Sequence, residues 1–392
     1  MELFIEKDFV EKYKKGYPLL SSEYIKYKFK EEDEGKIVSL LDDKHKYVAT
    51  AYLGKQNKGF GWVFSNNRRE LFDNSFIKSL IRRAISLRQS FFNNSSTNAF
   101  RVFNGYGDGI GGLTIDYYAG FLLINWYNRG IFKFNKLIVQ NLITELSPKG
   151  IYQKIRFKHS PDDIYENHLY GQSASESFYI IENDVKYCLN FDDGDMVGIF
   201  LDQREVRKML TSKFSKNKTI LNTFSYTGAF SLATLAGLSG KTTSVDLAKR
   251  SLPKTIANLE INEFKVEDQE IVVGDVFNFV KYALRKKLTY DLVILDPPSF
   301  AKSKKKSFSV LKNYADLLNS VAPLVGQNGY IIASTNNSKL SLLKFKKIIL
   351  QGLKKSNRLY RIEKVFRLPA DYRVADTYQE ENYLKVLLIK LD

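Results

Sequence analysis

TILNTFSYTGAF (219–230), KTTSVDL (241–247), QEIVVGD (269–275), YDLVILDPPSF (290–300) and GYIIAST (329–335) decide the fold of this chain. Each begins as a short run rich in apolar and β-branched residues, and most end on a small or acidic one. Helical stretches around FSLATLAGL, AKRSLPKTIANLEI, FNFVKYALRKK and YADLLNSVAPLV stand between them. Buried strands alternating with helices predict an α/β domain, a parallel sheet with helices on both faces. Ligands of such sheets bind beyond the carboxyl ends of the strands, so the residues at each strand exit are the candidate site.

Four exits are suggestive. The first runs through Phe224, Ser225, Tyr226, Thr227 and Gly228, a turn whose backbone N–H groups can face a ligand at a helix start. The second ends at Asp246, 18 residues beyond Gly228, close to the roughly 20-residue separation that sets an acid on a ribose diol. The third ends at Asp275, suited to a purine amino group. The fourth is Asp296-Pro297-Pro298-Ser299-Phe300, whose proline pair fixes backbone carbonyls at the mouth of a site.

Upstream, DVKYCLNFDDGDMVGIFLDQREVRKMLTSKF (184–214) predicts a strand, a turn, a second strand and a helix. Residues 1–72 show the short β-like runs KIVSLLD, KYVATAYLG and FGWVFS, expected to form a small barrel or half-barrel. At Asp73 the pattern turns helical, and 73–185 reads as a small α+β domain, leaving 186–392 as the α/β domain. Within the central part, Gly107-Asp108-Gly109-Ile110-Gly111-Gly112 matches a dinucleotide fingerprint by letter. Strand-like sequence follows it, so a glycine hairpin is expected instead.

Composition narrows the function classes. The 392 residues carry a net charge of +17, which favours a polyanionic partner. A single cysteine, Cys188, excludes an internal disulfide, and three scattered histidines (His45, His159, His168) argue against a metal. No segment has the length and apolarity of a membrane span or leader, so a soluble cytoplasmic protein without a membrane partner is expected. A homodimer is compatible with the sequence.

The set of strand exits, together with Gly198-Ile199-Phe200-Leu201-Asp202-Gln203-Arg204, resembles the class I S-adenosylmethionine-dependent methyltransferases. More narrowly, it resembles the bacterial 23S (large-subunit) rRNA methyltransferases with an N-terminal PUA domain. The resemblance runs over essentially the whole chain and implies an RNA-binding PUA-like fold for 1–72 and a Rossmann-like catalytic domain for 186–392. It implies that Phe200, Asp202 and Arg204 lie beside S-adenosyl-L-methionine and that Phe224, Ser225, Tyr226, Thr227 and Gly228 cradle its methionine portion. Asp246 would hold the ribose and Asp275 would read the adenine. Asp296, Pro297, Pro298 and Phe300 would form the catalytic loop against a base drawn from its stack. Lys302, Lys304, Lys305, Lys306 and Asn336 would meet RNA.

One departure bears on the chemistry. Relatives that methylate cytosine C5 need a cysteine thiolate to add to the ring first, and their thiol follows the strand that here runs Tyr330 to Thr335 into Asn336-Asn337-Ser338. Cys188 reads as an ordinary strand residue. A ring or exocyclic nitrogen needs no covalent help and is the acceptor preferred on chemical grounds, with cytosine C5 the alternative that family resemblance offers. A catalytically silent RNA-binding or ribosome-assembly protein and an NAD-dependent oxidoreductase are the rivals from other classes.

Overall fold

The computed structural model describes residues 1–57, 59–160, 163–175, 178–302 and 307–392, with backbone only at 300–302 and 307–308. The chain forms two compact units, one of Met1–Glu176, Phe191–Asp195 and Ala370–Glu381, the other of Ser177–Asn190, Met196–Pro369 and Asn382–Asp392.

In the first unit, Glu2–Phe4, Ile37–Leu41, Tyr47–Gln56, Gly59–Ser65 and Leu19–Leu20 form a five-stranded sheet in that order. A second sheet joins His168–Gly171, Gly150–Ile155, Phe121–Trp126, Leu113–Tyr118 and Ala99–Asn104. Helix Asn74–Leu87 starts where expected, with the Asp73 carboxylate accepting from Phe76 N at 3.0 Å, and buries Phe76, Ile77, Leu80, Ile81 and Ala84. The glycine-rich stretch joins two antiparallel strands, Ala99–Asn104 and Leu113–Tyr118, as a hairpin connection should. Its glycines are required by contact: a Cβ on Gly111 would lie 2.1 Å from the Trp62 ring. One hydrophobic cluster runs from Leu3 through Trp62 to Ile151, so the boundary expected at residue 72 falls inside a shared core.

The second unit holds a seven-stranded sheet. We number its strands β1 (Thr219–Thr223), β2 (Lys241–Asp246), β3 (Glu270–Val273), β4 (Tyr290–Leu295), β5 (Val325–Thr335), β6 (Tyr360–Phe366) and β7 (Lys385–Leu391). Their order is β3-β2-β1-β4-β5-β7-β6. The helices are α1 (Arg204–Leu210), α2 (Ala229–Ala236), α3 (Ser251–Ile261), α4 (Val276–Arg285), α5 (Val310–Val321) and α6 (Leu342–Lys354).

Three expectations need correction. The sheet is not wholly parallel: β7 runs antiparallel to both β5 and β6, and neither C-terminal strand has the βα rhythm that revealed the others. The third strand is not buried; β3 is the sheet edge and its residues are half-buried or exposed. MVGIFL forms no strand, because Gly198 adopts φ +131° and its carbonyl accepts from Thr227 Oγ1 at 2.7 Å instead of from a neighbouring strand. Cys188 does sit in a strand, Val185–Leu189, the second arm of a two-stranded hairpin with Phe178–Glu182.

Candidate active site

The strand order reverses between β1 and β4, where successive helices leave for opposite faces of the sheet and open a crevice beyond the carboxyl ends. All four suggestive exits lie along that edge. The β1 exit is strained: Phe224 and Tyr226 hold φ of 55° and 52°, a region that costs a non-glycine residue about 1–2 kcal/mol. Such a conformation persists where surrounding contacts impose it, and it clusters at ligand sites. Here those contacts are explicit. Ser225 N donates to Val245 O at 3.1 Å, Tyr226 N to Asp246 Oδ2 at 2.9 Å, and Asn258 Nδ2 to Thr227 O at 2.9 Å. Gly228, at φ +75°, starts α2, and a Cβ there would lie 2.7 Å from Thr255.

Asp246 therefore ties two loops together, since its Oδ1 also accepts from Ala248 N at 2.8 Å. That bond explains why α3 starts at Ser251 and not at Ala248: the chain after β2 is held in a turn. Asp275 is the N-cap of α4, its Oδ1 accepting from Asn278 N at 3.0 Å. Both acids keep lone pairs beyond these bonds. Apolar side chains stand exposed along the chain next to them, Leu247 at 60% and Val273 at 38%, and Phe200, near the Tyr226 ring, is 40% exposed. Exposed apolar groups next to acids at strand exits suit a nucleoside, whose flat base wants apolar contact and whose hydroxyl and amino groups want acceptors. The residues present thus fit an adenosyl group.

Before β1, Phe200 stands 5.7 Å from the Tyr226 ring, centroid to centroid, bringing together two residues expected in the cofactor pocket. Its backbone is fixed from below: Arg207, fully buried and paired with Glu182 at 2.6 and 2.9 Å, donates to Phe200 O at 2.8 Å. Arg204 is buried to 3% exposure, so its guanidinium is shielded from solvent. Asp202 accepts from Tyr383 Oη at 2.9 Å.

The fourth exit is built around Asp296. Gln203, 4% exposed, donates through one amide nitrogen to Asp296 Oδ2 at 3.3 Å and to Ser334 Oγ at 2.9 Å. Beneath, the buried Tyr314 hydroxyl donates to Leu295 O at 3.2 Å. Burial, with the nearby Asp202 charge adding to it, pushes the Asp296 carboxyl up to about 6, against hydrogen bonds from Ser334 and Gln203 that pull it down. Pro297 is buried and Pro298 exposed. Ser299 Oγ donates to Asn336 Oδ1 at 2.6 Å, joining the proline loop to the end of β5. Of the remaining expected residues, Lys304, Lys305 and Lys306 lie outside the described residues, and so do the side chains of Phe300 and Lys302.

Gln203, Ser334, Tyr314 and Tyr383 were not singled out by sequence. Gln203 lay inside a recognised motif without a role. Tyr383 reaches Asp202 across 181 residues from the segment ahead of β7, and no local pattern announces such a contact. The thiol of Cys188 is turned to α3 and takes no part in the fourth exit: its N–H donates to Asn258 Oδ1 at 2.7 Å and its thiol to Ala257 O at 3.8 Å. Burial pushes that thiol up, away from the reactive thiolate. Among the described residues no cluster of three metal-ligating side chains occurs, and no helix is long and apolar enough to cross a membrane.

Comparison with known proteins places the chain in a family. Residues 101–374 match the S-adenosylmethionine-dependent methyltransferase family and residues 3–66 a PUA-like domain. The Bacillus subtilis protein named "Putative ribosomal RNA large subunit methyltransferase YwbD" is 43% identical, over 99% of both chains. Ribosomal RNA large subunit methyltransferase I of Pseudoalteromonas translucida is 28% identical over 96% of both. The crystal structure of "SMU.776, a putative methyltransferase complexed with SAH" superposes with a TM-score of 0.92, at 39% identity and 100% coverage of both chains.

Proposed function

The chain belongs to the S-adenosylmethionine-dependent methyltransferases and carries a PUA-like domain at its N-terminus, and from that premise we propose that it methylates a nitrogen of a base in large-subunit rRNA. Its similarity to rRNA large subunit methyltransferases over nearly its whole length supports the substrate class. The observation that carries the acceptor is the fourth strand exit: a carboxylate, a rigid proline pair and an asparagine-bonded serine stand there, and no thiol is among them.

In this reading 1–72 grips RNA, 73–185 is the central domain and 186–392 is catalytic. Phe224 to Gly228 hold the methionine portion of the cofactor, Asp246 the ribose and Asp275 the adenine, with Phe200, Asp202 and Arg204 around them. The cofactor supplies a methyl group on a cationic sulfonium, which needs little further activation. The protein's part is alignment. Asp296 accepts a hydrogen bond from an N–H on the edge of the extruded base, turning the nitrogen lone pair toward the methyl group, and takes up the proton that an amino acceptor releases. Pro297 and Pro298 keep the loop from yielding, Phe300 stacks on the base, and Lys302, Lys304, Lys305, Lys306 and Asn336 face the flanking nucleotides. Extrusion costs a few kcal/mol, which stacking and edge contacts offset.

Asp296 must be ionised to take up a proton, so kcat/KM for transfer of labelled methyl to rRNA should climb as pH rises through about 6 and level off above it. A profile flat from pH 5 to 8 would remove Asp296 from this role. Cys188→Ala should leave turnover within about twofold of wild type, because the thiol is half-buried and hydrogen-bonded to α3. Complete loss of transfer in that variant, with the fold intact, would restore covalent cytosine C5 chemistry.

A further inference from the structure

No acidic residue occurs between Asp316 and Glu363, while residues 339–362 alone contain eight lysines and arginines. Some of these charges have structural work. Arg358 donates to the carbonyls of Ala322, Val325 and Gly326, Lys355 pairs with Asp316 and Arg361 with Glu363. Lys339, Lys344, Lys347 and Lys354 are exposed, and none makes an ion pair with a described residue.

Three of them share one face of α6. At 100° per residue Lys344, Lys347 and Lys354 fall within about 80° of one another, spread over roughly 15 Å of helix axis. The opposite face is spent: Phe345, Ile349 and Leu353 are buried in the core, and a Cβ on Gly352 would lie 2.7 Å from Ala315 O in α5. The helix is thus held rigidly with its basic face outward.

That arrangement is locally unfavourable. Ser341 caps α6 through Lys344 N at 3.2 Å, which makes Lys344 the third helical residue, where a glutamate would complete a capping box. A cation there opposes the positive end of the helix dipole, and Lys347 repels it one turn on. A segment that breaks charge rules with no internal compensation points to an external one. Its position names the kind. Lys339, whose N–H donates to Asn337 Oδ1 at 2.9 Å, follows only three residues after Asn336, the residue bonded to the proline loop, so the patch begins at most about 11 Å of chain from the catalytic edge.

We propose that the Lys344, Lys347 and Lys354 face of α6, entered through Lys339, is a phosphate track for the RNA strand flanking the extruded base. About 15 Å spans roughly four stacked nucleotides at 3.4 Å each. An anionic lipid surface fits less well, because most apolar side chains of α6 are taken up by the core and only Leu343 and Leu350 stand exposed beside the lysines, too few to anchor a helix in a membrane. The inference rests on the rRNA reading above and adds where that RNA lies.

The test compares the full-length wild type with the triple variant Lys344→Gln, Lys347→Gln, Lys354→Gln. Affinity for an unmodified large-subunit rRNA transcript is measured by anisotropy between about 50 and 300 mM salt. The track predicts a plot of log affinity against log salt shallower by about 2, three contacts at ~0.7 each, and binding at least about tenfold weaker at low salt. Cofactor binding should be unchanged and the thermal midpoint should hold or rise slightly, since glutamine suits an exposed helix and relieves the repulsion between Lys344 and Lys347. If the wild type binds and methylates the transcript and the variant matches it in slope and affinity, the track is refuted and the function stands. If the wild type neither binds nor methylates rRNA, both fall. A variant that keeps its RNA affinity but loses adhesion to anionic vesicles would replace RNA with a membrane as the partner.

Discussion

Asp296→Ala is expected to abolish methyl transfer, by about 10²- to 10⁴-fold in kcat, the range of a positioned proton acceptor, while the dissociation constant for S-adenosylmethionine stays near wild type. The separation follows from position: Asp296 leaves β4 toward the proline loop, whereas the residues proposed to hold the methionine portion, ribose and adenine lie on the exits of β1, β2 and β3. Asp296→Asn sharpens the case. The carboxyl is held at about 6 against an ordinary 3.8, so ionising it works against the folded state. Its contribution to stability is fully present below pH 3.8 and is lost as pH rises to about 6. A neutral amide of the same shape escapes that loss, and Asp296→Asn should leave the protein more stable at pH 7.5 by roughly 2–3 kcal/mol. A variant inactive yet harder to unfold marks a group kept for chemistry. Undiminished methylation by either variant would overturn the assignment, and an inactive Asp296→Asn variant no more stable than wild type would show that the carboxyl is not strained by burial.

The second large effect is expected at Asp246. If Asp246 holds the two ribose hydroxyls as proposed, removing it costs about 1.5–3 kcal/mol for each charge-assisted bond, so Asp246→Ala should weaken cofactor binding by at least about 10²-fold in calorimetric titration. Affinity for rRNA should persist. The same carboxylate also accepts from Tyr226 N and Ala248 N, and the alanine variant loses those bonds too. Asp246→Asn retains one acceptor oxygen for the loop and gives up the second, so it should fall between alanine and wild type. Unchanged cofactor affinity in the alanine variant would reduce Asp246 to a loop tie.

Much of the catalytic domain was legible because its information is local. Each buried parallel strand is a short apolar run, each exit has its own residue, and each of β1 to β4 is followed in sequence by its helix. The β1 turn was readable from its small residues, although the left-handed Phe224 and Tyr226 were not, since neither residue type announces such a backbone. What escaped is long-range. β6 and β7 pair antiparallel beside β5 and obey no βα period. The shared core of residues 3–157 hides the division that the composition shift at residue 73 suggested. Gln203 and Tyr383 acquire their roles from partners 93 and 181 residues away, and their spacing carries no trace of it. The basic face of α6 was not read from the sequence, since only burial of Phe345, Ile349 and Leu353 shows which lysines face outward.

Mass spectrometry of large-subunit rRNA nucleosides from cells with and without the gene tests the central claim most directly. A base bearing one methyl group on nitrogen, present with the gene, absent without it, and restored by wild type but not by Asp296→Ala, is the predicted result. An rRNA methylation pattern identical in the two strains would contradict the assignment, and loss of a carbon-methylated cytosine would contradict its chemistry.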